Sequence, residues 1–126
     1  MRDWNAEIEK RLEGRITRRF GNQYARFEGL RPSELKAWMG EGLVKDDQHN
    51  LAPKLSELAE LDDEVVELEG YVIFQPREDY RLSIDAVRVK KPDEISEDLL
   101  NKWAATADIV RFEGKELNAP VYFWWD

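Results

Sequence analysis

Four consecutive aromatic residues near the carboxyl end constrain the fold more than any other feature of the chain. They are Tyr122, Phe123, Trp124 and Trp125, and in a strand they point alternately to opposite faces. Each large ring left in water forgoes on the order of 2 kcal/mol of burial free energy. Both faces of this strand therefore need a cover, which the amino-terminal helices or another molecule must provide. If Phe123 and Trp125 face the core, Tyr122 and Trp124 are the rings that need the second cover.

The second half of the chain shows the two-residue period of strands. Apolar and polar residues alternate from Val65 onward, and Pro76 interrupts the alternation because proline cannot donate to a ladder. The alternation reverses near Ala86 and Val87, which predicts one extra residue, a β-bulge, at that point. The predicted strands form two hairpins, and they cover residues 66–74, 80–90, 108–113 and 119–126.

The spacing of apolar residues predicts four helices. In the first, apolar side chains recur at every fourth position from Trp4 to Phe20, and Gly21 ends the helix. The other three begin at or just after a proline, and these prolines are Pro32, Pro53 and Pro92. Asp93 or Ser96 can cap the last helix.

Together these elements predict an α+β fold. Three N-terminal helices are followed by a ββαββ unit that forms a mainly antiparallel four-stranded sheet. A single globular domain over residues 1–126 accounts for the length, since domains most often contain about 100 to 150 residues. We expect its helical half at about 1–63 and its sheet-rich half at about 64–126.

The residue counts exclude several classes of function. The chain has no cysteine and one histidine, His49, which excludes disulfide frameworks, thiolate metal sites and cysteine nucleophiles. Asp46 and Asp47 precede this histidine, but a structural zinc site usually needs four ligands. We therefore expect an ordinary loop there and no metal. No nucleotide-binding or catalytic motif is present, so no cofactor is predicted.

The sequence also predicts a cytoplasmic location. No apolar run reaches the roughly 18 residues of a membrane span, so no membrane contact is expected. The amino terminus lacks the apolar core of a signal peptide.

Two groups of residues are candidate binding sites. The first comprises Tyr122 and Trp124, because Trp and Tyr are enriched where interfaces carry their binding energy. The second is a predicted turn with Arg77, Tyr80 and Arg81, in which two guanidiniums and a phenol are able to clamp a carboxylate or a phosphate. The simpler explanation of this turn is local pairing of its arginines with the adjacent acids, each pair contributing at most ~1 kcal/mol.

Large rings are plentiful in this chain and catalytic groups are scarce. We therefore predict a small acidic protein that acts by macromolecular binding or self-association, with a protein partner or a second copy and with no catalytic residue. One alternative is a nucleic-acid-binding module, although the formal charge of −8 is unfavourable for it. Its contacts would come from a helical stripe of arginines, Arg11, Arg15, Arg18 and Arg19. A second alternative is a small enzyme that uses the same predicted turn on an anionic small molecule.

Overall fold

One six-stranded antiparallel sheet is the centre of the fold. The computed structural model describes residues 3–126. The strands are β1 (Ile16–Phe20), β2 (Tyr24–Leu30), β3 (Val66–Ile73), β4 (Arg81–Val89), β5 (Ile109–Phe112) and β6 (Val121–Trp124). The helices are α1 (Trp4–Arg11), α2 (Pro32–Gly40), α3 (Leu55–Leu58) and α4 (Glu97–Thr106), with a 3-10 turn at Pro92–Glu94. The strands pair in the order β1-β2-β3-β4-β6-β5, and the sheet curls into a half-barrel.

The prediction of three N-terminal helices followed by a four-stranded sheet is wrong, because β1 and β2 lie in the first half of the chain. Instead of a helix to Phe20, α1 ends after eight residues. Gly14 then adopts a φ of 80°, and Gly21, at a φ of 56°, turns β1 into β2. Glycine reaches this left-handed region without the steric cost that other residues meet. A hairpin therefore replaces the second half of the predicted helix.

The remaining predicted elements are confirmed, with shifted ends. Pro32 is the first residue of α2, and the Ser96 hydroxyl caps α4 by accepting a hydrogen bond from the Leu99 N–H at 3.3 Å. The helix predicted after Pro53 is α3, which has only four residues. These starts were predictable because caps and prolines act within a few residues of their own position.

The predicted bulge is present in β4. Glu69 of β3 pairs with Ala86, whereas the next residue of β3, Gly70, pairs with Ile84. Asp85 is therefore the extra residue, and it restores one buried face along the whole strand. The side chains of β4 that this arrangement buries on that face are Leu82, Ile84, Val87 and Val89.

Gly70 allows β3 and β4 to approach closely at the bulge. A Cβ atom at this position would lie 1.9 Å from the backbone oxygen of Ser83. No side chain fits there unless the two strands separate.

The helices cover one face of the sheet, which we call the inner face. Phe123 of β6 and Trp125, which directly follows β6, point to this face, and Trp103 of α4 meets them edge-on at ring-centroid distances of 5.7 and 6.3 Å. Tyr122 and Trp124 point to the opposite, outer face and remain partly exposed. The largest fully buried side chains include Ile8, Leu12, Phe27, Leu35, Leu55, Leu58, Leu68, Ile84 and Trp125.

None of the helices within residues 3–126 is both long enough and apolar enough to span a bilayer.

We expect Gly70→Ala to lower the free energy of unfolding by about 3 kcal/mol, because overpacking forces the backbone apart. Gly40→Ala is the matched control, since a Cβ atom there would meet nothing within 4 Å. Urea denaturation of both variants measures the difference. Equal stability of the two variants would contradict the close approach of β3 and β4.

Candidate functional site

The outer face of the sheet carries polar and aromatic side chains in rows. Successive residues of a strand alternate between faces, so the pairing register decides which outer-face side chains are neighbours. The outer-face residues include Arg26 on β2, Glu67, Glu69 and Tyr71 on β3, Arg81, Ser83, Asp85 and Arg88 on β4, Tyr122 and Trp124 on β6, and Ile109 and Arg111 on β5.

A buried ion pair occupies the middle of the outer face, at the bulge. Arg26 donates hydrogen bonds to both carboxylate oxygens of Asp85, at 2.8 and 2.9 Å. Asp85 is only 4% exposed, and this bidentate pairing compensates the loss of water around its carboxylate. The hydrogen bond with Asp85 raises the pKa of the Arg26 guanidinium above its ordinary value. The bulge thus joins β2 to β4 across the intervening β3.

A second network fixes the ring of Tyr122. Its hydroxyl donates a hydrogen bond to Glu69 at 3.0 Å, and Arg88 lies 3.3 Å from the other oxygen of that carboxylate. Arg88 also donates to Glu113 at 2.7 Å. Burial raises the pKa of Tyr122, and the adjacent charge of Glu69 raises it further. Tyr122 therefore remains a neutral donor, and its ring is held in one orientation.

The outer face is open where β5 and β6 meet. Ile109, Arg111, Tyr122 and Trp124, which we call the β5–β6 corner, line a groove of about 450 Å³ together with Arg26. The Arg111 guanidinium lies 4.5 Å from the centroid of the Tyr122 ring. No carboxylate within residues 3–126 forms an ion pair with Arg111. Two rings, an aliphatic chain and an unpaired guanidinium are thus available at one place.

The second predicted group, the turn with Arg77, Tyr80 and Arg81, lies at the other end of β4. Arg77 donates two hydrogen bonds to the Asp79 carboxylate, at 2.9 and 2.8 Å, and Arg81 lies 3.6 Å from the same group. The ring of Tyr80 packs edge-on against Trp4, with 5.0 Å between centroids. Both guanidiniums therefore make the local ion pairs that are the simpler explanation of this turn.

A cavity of about 280 Å³ adjoins the turn and is lined in part by Arg81 and Asp47, whose charged groups are 3.6 Å apart. The Tyr71 hydroxyl meets Arg81 at 3.2 Å and His49 at 2.8 Å. The sequence did not indicate this contact, because His49 lies on a loop and Tyr71 on a strand.

No group of three metal-ligating side chains occurs in the described part of the chain.

The four arginines of the nucleic-acid alternative do not form one stripe, because α1 ends at Arg11. Arg18 and Arg19 belong to β1, and Arg15 lies just before it. Their carboxylate partners are Glu7 and Glu41 for Arg11, Glu34 for Arg15 and Glu9 for Arg19. Arg18 lies over the ring of Phe20 at 5.8 Å. Three of the four cations are thus paired within the chain.

The structure places Tyr122 and Trp124 beside two residues that the sequence did not single out. Ile109 pairs with Trp124, and Arg111 pairs with Tyr122. The register of the predicted hairpin was the one signal able to identify them. No family model, curated protein or solved structure matches this chain. What the corner binds has to be inferred from the chemistry of its side chains.

We expect Asp85→Asn to lower the free energy of unfolding by about 3 kcal/mol, because it leaves Arg26 without its carboxylate in a partly buried site. Asp79→Asn is the matched control, since its ion pair with Arg77 is exposed and contributes at most ~1 kcal/mol. Denaturant unfolding at neutral pH compares the two. A loss for Asp85→Asn no greater than for the control would show that the pair does not stabilise the bulge.

We expect the stability of the protein to fall with acid as Glu34 is protonated. Burial raises the pKa of Glu34, but hydrogen bonds from Arg15 and Arg31 outweigh this effect and lower the pKa from 4.5 to about 2. A carboxyl group whose pKa is lowered by folding stabilises the folded state at pH values above its ordinary pKa. This contribution, about 3 kcal/mol at most, is lost as the pH falls toward 2.

Thermal unfolding between pH 4.5 and pH 2 tests this expectation. Glu34→Gln should be less stable at neutral pH and should flatten the acid limb of the profile. Glu60→Gln, which removes the exposed partner of Lys36, should leave the profile unchanged. An unchanged acid limb in Glu34→Gln would disprove the assignment.

Proposed function

We propose that this protein acts by binding another protein molecule at the β5–β6 corner and has no catalytic chemistry of its own. One observation carries the proposal. The helices lie on the inner face of the sheet, so the rings of Tyr122 and Trp124 stay partly exposed on the outer face. They lie beside a guanidinium, that of Arg111, which has no carboxylate partner within residues 3–126.

The residue types at the corner favour a protein partner. Trp, Tyr and Arg contribute most of the binding energy at protein interfaces, where they fill desolvated pockets at the centre. Tyr122 is already held by Glu69, so little side-chain freedom is lost when a partner packs on its ring. A complementary surface supplies apolar atoms to Trp124 and Ile109, and a carboxylate to Arg111.

We further propose that this binding takes place in the cytoplasm. The complete absence of cysteine supports this location, because small secreted proteins commonly depend on disulfides. The formal charge of −8 favours a soluble, self-repelling free protein.

The nucleic-acid alternative has less support. Three of its four arginines are paired with carboxylates, and the net charge repels phosphate. A titration with double-stranded DNA at low ionic strength distinguishes it, since phosphate contacts make affinity fall steeply with salt. The enzyme alternative rests on the cavity beside Arg81 and is distinguished by a thermal-shift screen of small anions.

We expect Trp124→Ser to abolish partner binding while lowering the free energy of unfolding by no more than about 2 kcal/mol, because its ring is partly exposed. Trp125→Ser removes a ring that is 1% exposed and should cost about 4 kcal/mol. Urea denaturation measures both values. A Trp124 variant as unstable as the Trp125 variant would show that both rings serve the core.

Binding is measured by affinity capture from a lysate of the source cells, with the wild-type chain and Trp124→Ser compared quantitatively. Phe20→Ser is the matched control, since its ring is 55% exposed at the opposite edge of the sheet. A protein captured by the wild type and by Phe20→Ser, but not by Trp124→Ser, supports the proposal. Capture that is the same for all three chains refutes docking at the corner.

A further inference from the structure

The two edges of the sheet differ in how they resist pairing with another strand. The edge strand β1 carries Arg18 and Arg19, and charges on an edge discourage the addition of a further strand. The other edge strand, β5, is exposed along its whole length and mostly apolar. Its exposed fractions include 47% for Ile109, 38% for Val110 and 71% for Phe112. An apolar edge of this kind invites an added strand.

The backbone of β5 is also unpaired along the open edge of the sheet, on the side away from β6. Glu113 donates its N–H to the Pro120 carbonyl at 2.8 Å. Hydrogen-bonded and non-hydrogen-bonded positions alternate in an antiparallel pair, so the odd-numbered residues of β5 face β6. Val110 and Phe112 therefore direct their N–H and C=O groups to the open edge, where no group within residues 3–126 bonds to them.

We propose that this edge pairs with β5 of a second copy of the chain, antiparallel and centred on Phe112. The inference rests on the proposed function, because it names the molecule that docks beside the β5–β6 corner. Two six-stranded sheets would join into one continuous sheet across a two-fold axis. Phe112 would meet its own symmetry mate on the inner face, where aromatic pairs across strands are favourable.

Charge selects this register over the two nearest ones that keep the backbone in phase. Centring the pair on Arg111 places two guanidiniums opposite each other, which is repulsive. Centring it on Glu113 places two carboxylates opposite each other and Arg111 opposite Lys115, which is also repulsive. Centring it on Phe112 places Arg111 of each copy opposite Glu113 of the other, so two ion pairs form.

The positions of Arg111 and Glu113 also explain why β5 of a second copy fits this edge better than a strand of an unrelated protein. The segment from Arg111 to Glu113 is complementary to itself, since its charges exchange places under a two-fold rotation. Glu113 already accepts a hydrogen bond from Arg88, and a carboxylate has capacity for a second guanidinium. The charge of −8 on each copy opposes association, but its long-range part is screened at physiological salt.

Sedimentation velocity and light scattering over a wide range of protein concentration test the proposal on the full chain. We expect the wild type to dimerise. Arg111→Glu and Glu113→Arg each place like charges across the two-fold, so each should weaken the dimer by at least about tenfold. An equimolar mixture of the two variants restores opposite charges at both pairs and should dimerise again.

Arg18→Glu is the control, because it changes the same residue type on the other edge and should leave the dimer unchanged. Circular dichroism checks that each variant is folded. A wild type that stays monomeric at every concentration overturns the inference, as does a mixture that shows no recovery of mass. If capture of another protein remains dependent on Trp124 in that case, docking at the corner stands and only the second copy is refuted.

Discussion

The whole arrangement depends on the contact between β3 and β4 at the bulge. Gly70 allows the two strands to approach so closely that no Cβ atom fits between it and Ser83. Next to this contact, the extra residue Asp85 reverses which alternate residues of β4 point to the inner face. Without this reversal, Val87 and Val89 would point away from the core that Leu82 enters. One glycine and one inserted residue thus keep the large apolar side chains of a nine-residue strand on a single face.

The bulge also determines what the outer face contains. Asp85 directs its carboxylate to that face, where Arg26 of β2 binds it with two hydrogen bonds. Acids and bases in the middle of the outer face are thereby paired, and the Tyr122 hydroxyl is held by Glu69. The unpaired cation and the partly exposed rings are left at one end of the sheet, next to an open edge. Because the central charged groups are paired with each other, the groups available for binding a partner lie at the β5–β6 corner.

Sequence reasoning succeeded where the signal is local and failed where it is not. The start of α2 at Pro32, the Ser96 cap of α4, the β3–β4 hairpin and the reversed alternation in β4 depend on neighbouring residues, and all were predicted. The apolar spacing from Trp4 to Phe20 favoured one long helix, because a four-residue interval is close to the helical period. Gly14 and pairing of β1 with β2 outweighed that preference, since a strand with a partner gains ladder hydrogen bonds that periodicity does not report.

The sequence by itself determined that a terminal strand has rings on both faces and that Phe123 and Trp125 share one of them, because side-chain alternation is a property of a single strand. Only the tertiary structure decided which face the helices cover, that β6 lies inside the sheet and β5 at its edge, and which arginines have carboxylate partners. These outcomes depend on contacts between residues far apart in the chain, such as Arg26 with Asp85, and the spacing of residues along a sequence does not encode them.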